Sequence, residues 1–176
     1  VYIDNIEATY EATKHLLDKG IKNIAFIGVD KSSANAWGDR YIGYEKALNE
    51  AGIPVDEDLV YFEGLKVKSG YVASEKFLAS GKNFDGIICA SDEIAMGAIN
   101  GLREKGVNTP EDVSVIGFND NVVASYFYPK LTTVKQPSYD MGSVAMRMLI
   151  KILNNKPLEE AEFILNHELI ERESCK

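Results

Sequence analysis

Apolar positions along this chain switch repeatedly between a helical spacing and short unbroken runs. Over residues 7–19, Ala8, Ala12, Leu16 and Leu17 share one helical face, and Gly20 stands where a left-handed cap would close the helix. Residues 23–28 form a short apolar run between polar neighbours, which predicts a buried strand. The pattern then repeats. A helix is predicted over 40–51 and a strand over 59–62, then a short helix over 71–78 and a strand over 84–90. A helix over 93–104 and a strand over 113–118 complete the alternation. Residues 119–130 lack any period and hold the run Tyr126-Phe127-Tyr128-Pro129. A brief strand over 131–135 follows. Met141, Val144, Ala145, Met148, Leu149, Ile152 and Leu153 then trace the clearest 3/4 spacing in the chain. A last strand is predicted over 163–170.

Strands separated by helices imply crossover units, hence an α/β fold with a parallel sheet and helices on both faces. In open sheets of this kind ligands bind beyond the C-terminal strand ends. That rule selects four segments: 28–40, 62–69, 90–93 and 117–121.

The composition narrows the function classes. Hydrophobic residues make up 45% of the 176 positions, enough for a packed core and too many for a disordered chain. No apolar run approaches the ~20 residues of a membrane-spanning helix. Nineteen basic against 27 acidic residues leave a formal charge of −8, which argues against these residues gripping nucleic acid. Two cysteines and two histidines offer neither a disulfide framework nor a histidine-rich metal site, and the cysteine usage suits a reducing cytoplasm. The start at Val1-Tyr2-Ile3-Asp4-Asn5 suggests a piece of a longer chain.

The selected strand ends carry polar side chains suited to a hydroxylated ligand. Trp37 and Arg40 close the first segment. An arginine there can fork onto vicinal hydroxyls while the indole stacks on a sugar ring, or it can bridge surface acids with Trp37 as packing. Ser91 and Asp92 precede a helix; one of them is expected to cap it and the other to be free for a ligand. Asn119, Asp120 and Asn121 close the third segment, where turn formation competes with ligand contact. Asp85 is read as a turn or capping residue. Cys89 is a packed thiol, Cys175 belongs to the tail, and His15 and His167 are surface or interface residues. No glycine-rich phosphate cradle and no nucleophile elbow is present, so no cofactor is expected and a Rossmann-type enzyme is disfavoured.

Read together, the motifs resemble the lactose-repressor (LacI) family. Val1-x-Ile3-Asp4-Asn5, Arg40-x-x-Gly43-Tyr44, Ser91-Asp92-x-x-Ala95-x-Gly97-Ala98 and Val115-Ile116-Gly117-Phe118-Asn119-Asp120 occur in that family's order. So do Pro129-x-Leu131-Thr132-Thr133-Val134-x-Gln136-Pro137, then Met141-Gly142, and the ending from Leu169 to Ser174. Residues 136–149 are especially similar to the catabolite-control branch.

The resemblance implies a periplasmic-binding-protein-like core (type I) with a small-molecule effector, sugar or nucleobase, bound between two subdomains. Arg40 would grip effector hydroxyls. Ser91 and Asn119 would complete the clamp, departing from the family's commoner Asn and Asp at those positions. Met96, Phe127 and Tyr126 would face the partner of a homodimer. Residues 1–20 and 134–160 would belong to an incomplete N-terminal subdomain, leaving apolar surface uncovered there. Residues 21–133 and the last strand in 161–176 would form the C-terminal one. Operator DNA would be bound through a head outside these residues. No membrane partner is implied. A periplasmic sugar-binding protein of the same fold is the alternative.

Overall fold

The computed structural model describes residues 1–30 and 35–176; the part of the first ligand-facing segment at 31–34 lies outside the described residues. In chain order the elements are β1 (Tyr2–Ile3), α1 (Asn5–Asp18), β2 (Ile24–Gly28), α2 (Ala36–Glu50), β3 (Val60–Phe62) and α3 (Val67–Ala79). They continue with β4 (Gly86–Cys89), α4 (Asp92–Glu104), β5 (Ser114–Asn119) and β6 (Thr132–Lys135). The remainder are α5 (Ser138–Leu153), β7 (Ile164–Leu165) and β8 (Glu168–Ile170). A six-stranded sheet runs in the order β3-β2-β4-β5-β6-β8, parallel except for the antiparallel edge strand β8.

Side-chain alternation sorts the helices onto the two faces of this sheet. Phe26, on the face shared with its partner Ile88, packs its ring against Tyr41 and Tyr44 of α2. Gly86 is on the same face, and a Cβ there would run into Leu16 of α1. Gly117 points the other way, and a Cβ would strike the Asp92 carboxylate of α4. α1 and α2 therefore cover one face, with α3 and α4 on the other. Both pairs meet through glycines. A Cβ at Gly43 would land on the Ile6 carbonyl oxygen, one at Gly70 on that of Ile94, and one at Gly97 on that of Val67. Backbone-to-backbone approach of this kind is open only to residues without a side chain.

Several elements differ from the sequence reading. α2 starts at Ala36, four residues earlier than expected, because the Asn35 side chain accepts from the Trp37 N–H and caps it. α3 likewise starts at Val67. The last strand is two. β7 pairs with β1 in a separate two-stranded sheet, whereas β8 closes the main sheet against β6. The aperiodic stretch contains a 3-10 turn, Val122–Ser125.

The apolar surface expected to lie uncovered over residues 1–20 is instead packed. Ala8, Ala12 and Leu16 are fully buried in the common core, because α1 packs along α2 and over β4. The same expectation for α5 agrees with its exposure: none of its side chains is buried, and Met146, Leu149, Ile150, Ile152 and Leu153 face solvent.

Candidate functional site

The C-terminal ends of β2, β4 and β5 converge on Arg40. Its position one turn into α2 aims the side chain across the strand ends, where it is 2% exposed. Nε donates to Asn5 Oδ1 at 2.9 Å, and one terminal nitrogen donates to the Ala90 carbonyl at 2.6 Å. The guanidinium carbon lies 3.6 Å from the centre of the Phe118 ring and 4.5 Å from that of Trp37. Both are cation–π distances, so one cation contacts two aromatic rings. Burial pushes the Arg40 pKa down to about 9, and the Asp92 carboxylate partly offsets this. The group remains charged at neutral pH, with three N–H donors beyond those engaged by Asn5 and Ala90.

Ser91 and Asp92 take different roles. Ser91 is the cap: its Oγ accepts from the Ile94 N–H at 3.3 Å, leaving the hydroxyl proton to donate elsewhere. Asp92 is wholly buried. One oxygen accepts from Thr133 Oγ at 2.6 Å, the other from the Asn121 N–H at 2.7 Å. It thereby ties α4 to β6 and to the loop after β5. Desolvation dominates its electrostatics and pushes its pKa up to about 6, against the pull of those two hydrogen bonds.

This shift has a definite sign. The ordinary value is 3.8, so between there and about 6 the folded protein holds a proton that the unfolded chain has lost. Its contribution to stability is complete below the lower value and fades as pH rises through the upper one, by about 2–3 kcal/mol. The denaturation midpoint of the wild type, compared with Asp92→Asn at pH 4.5 and 7.5, is expected to carry this difference. Parallel pH profiles would refute it. The Asn variant has a constant penalty of its own, because its NH2 group replaces the oxygen that accepts from one of the two donors.

Asn119 and Asp120 occupy left-handed backbone at φ 111° and 55°. Such conformations cost of order 1–3 kcal/mol each unless the surroundings impose them. Here the Asp120 carboxylate accepts from Arg172 at 2.6 Å, while Arg172 also donates to the Leu131 carbonyl. One oxygen of Asp120 is thus held in an ion pair. Asn119 Oδ1 receives a long bond of 3.5 Å from Gln136 Nε2. Asn119, Asp120, Gln136 and Tyr139 line an open cavity of about 400 Å³ between the ends of β5 and the start of α5.

Arg40, Trp37, Ser91 and Asn119 are therefore gathered at one end of the sheet: Arg40 reaches the residue before Ser91 and stacks on the residue before Asn119. Sequence reading missed Asn5, Thr133, Phe118 and Arg172 as partners in this network. All four stand in the quoted motifs, but nothing in their local sequence marks them as partners of Arg40, Asp92 or Asp120.

Of the residues expected at a dimer face, Tyr126 is 82% exposed and Phe127 is half-buried against the core, whereas Met96 is 7% exposed and mostly spent on packing within the chain. His15 lies near Glu171 and His167 hydrogen-bonds Glu11, so both join α1 to the C-terminal segment. Cys89 is fully buried, and desolvation raises its pKa. Among the described residues there is no group of three or more side chains suited to a metal ion, and no helix long and apolar enough to cross a membrane.

Residues 13–175 match the family model of the periplasmic binding protein-like domain. The chain belongs to that family. Within it, the similar proteins are LacI-type regulators. The chain is 63% identical over 99% of its length to the HTH-type transcriptional regulator RegA of Clostridium saccharobutylicum, and 35% identical over its full length to catabolite control protein A of Priestia megaterium. It covers 52% and 53% of those two proteins, so it spans about half the length of the curated relatives it matches. The crystal structure of the regulator CcpA of Lactococcus lactis superposes with a TM-score of 0.92 at 36% identity, over 99% of this chain and 64% of that one. A structure described as a complex of the regulator CelR with cellobiose gives 0.91 at 34% identity, over 98% of this chain and 52% of that one.

Proposed function

We propose that this chain is the effector-sensing and dimerising portion of a LacI-type transcriptional regulator, and that the effector is a sugar-like polyol. The observation that carries the proposal is the buried Arg40, charged, stacked between Trp37 and Phe118, with donors in reserve at the strand ends where ligands of open α/β sheets bind. Aromatic faces suit the apolar face of a pyranose. The guanidinium fork, the Ser91 hydroxyl and the Asn119 amide suit its hydroxyls. Among the described residues no nucleophile–base pair accompanies them, and the arrangement fits binding without turnover. The cellobiose described for the CelR structure supports the sugar class, and the similar regulators support the regulatory role over periplasmic uptake.

In this reading the whole protein binds operator DNA in the cytoplasm as a homodimer. The exposed Tyr126 and the half-buried Phe127 contribute to the pairing surface, in keeping with aromatic enrichment at interface cores. Effector shifts DNA affinity only through a difference in its affinity for two arrangements of the subdomains.

A thermal-shift screen of neutral and phosphorylated sugars tests the proposal. A true effector present at about 100 times its Kd adds about 2.7 kcal/mol to stability, an easily read rise in Tm. Sugars that leave the Tm unchanged across the whole panel would overturn the sugar assignment.

A further inference from the structure

The chain passes three times between the six-stranded sheet and the elements outside it: at residues 3–5, 135–138 and 165–168. Asn5 sits on the first passage, between β1, which pairs with β7, and the body of α1. It is a polar side chain only 6% exposed, and the capping of α1 is done by its neighbour Asp4. Its amide faces two ways. Oδ1 accepts from Arg40 Nε at 2.9 Å, and Nδ2 donates to the Ile3 carbonyl at 3.1 Å. The amide orientation is fixed by chemistry, since the Arg Nε–H can only donate and a carbonyl can only accept. An aspartate would satisfy the first partner and repel the second. An aliphatic residue would satisfy neither.

We infer that Asn5 is a positioning residue that couples Arg40 to the passage between β1 and α1, so that displacement of the guanidinium is felt in the β1–β7 pair and the reverse. The coupling deepens the proposed function, on which it rests for the identity of what displaces Arg40. The effector would pull on the same cation whose Nε holds the connecting strand. Coupling between two such points is reciprocal, so each end can be read from the other.

The test needs no effector, which keeps its failure separate from failure of the sugar assignment. Trp37 is the sole tryptophan of the 176 residues and lies against the Arg40 guanidinium, so its emission reports the stack directly. Asn5→Ala is expected to shift Trp37 emission and raise its quenching by acrylamide. Asn5→Asp, which keeps the acceptor, is expected to leave both near wild type. From the other end, Arg40→Ala and Asn5→Asp are both expected to speed amide exchange over residues 1–6, where Tyr2 donates to Phe163 in the β1–β7 pair, with α3 on the opposite face of the sheet as the unchanged reference. The expected acceleration is about 10-fold, the factor carried by one hydrogen bond of ordinary strength. If Asn5→Ala fails to fold, the exchange measurements on the other two variants decide. Unaltered exchange over residues 1–6 in Arg40→Ala, or unaltered Trp37 emission in a folded Asn5→Ala, overturns the inference.

Discussion

Arg40→Ala is expected to abolish effector binding and, in the whole regulator, the effector response, while leaving operator binding in place. The substitution removes a cation that contacts two aromatic rings at the strand ends, together with the donors offered to ligand hydroxyls. Hydrogen bonds from a charged donor contribute about 1.5–3 kcal/mol each, so losing two of them lowers affinity by at least ~100-fold. The variant also strands the Asn5 and Ala90 oxygens that Arg40 serves, so a fall in Tm should accompany the loss. Arg40→Lys separates the two effects. Lysine keeps the charge but is a point donor without the planar fork, and it cannot serve Asn5, Ala90 and a ligand at once. It should retain more stability than Ala and regain little affinity. Calorimetric titration with a sugar that stabilises the wild type is the measurement. Near-wild-type affinity in either variant would refute the clamp.

The second large effect is structural. Gly97→Ala is expected to destabilise the chain by more than about 3 kcal/mol, because the new methyl group would meet the Val67 carbonyl and the backbone N of Tyr71 rather than a movable side chain. Relief requires α3 and α4 to separate, and Gly70, facing the Ile94 carbonyl across the same crossing, prevents any easy re-seating. The control is the same substitution in another helix. Gly142 on α5 has nothing within 4 Å of its would-be Cβ, so Gly142→Ala should stabilise by up to about 1 kcal/mol through helix propensity alone. Chemical denaturation of the pair should therefore give shifts of opposite sign. Equal behaviour would mean that the α3–α4 contact is looser than described.

The two predictions draw on different levels of information. Arg40 could be singled out in the sequence because it follows a buried strand and opens a helix, and the architecture places such positions at the ligand end of the sheet. Its stacking on Phe118 could not be singled out, because that ring lies on a strand two positions away in the sheet. Gly97 was legible as part of a motif, but its physical role depends on where α3 crosses α4. Asp92 shows the limit most clearly. Beside Ser91 it reads as an ordinary cap, and only the neighbouring strands turn it into a buried hub that accepts from Thr133 and Asn121.

The sequence by itself determined the alternation of strands and helices, the parallel α/β class, the strand ends that carry polar chemistry and the apolar face of α5. All of these follow from local periodicity and capping, which act over a few residues. Only the tertiary structure decided that α1 belongs to the main core, that the last strand splits between two sheets, that Asp120 pairs with Arg172, and that Asn5 holds Arg40. Those pairings join residues 35 and 52 positions apart, and in the case of β1 and β7 opposite ends of the chain. Strand order sets which of them meet, and strand order is fixed by how buried faces pack together, information spread over the whole chain rather than held in any one segment of it.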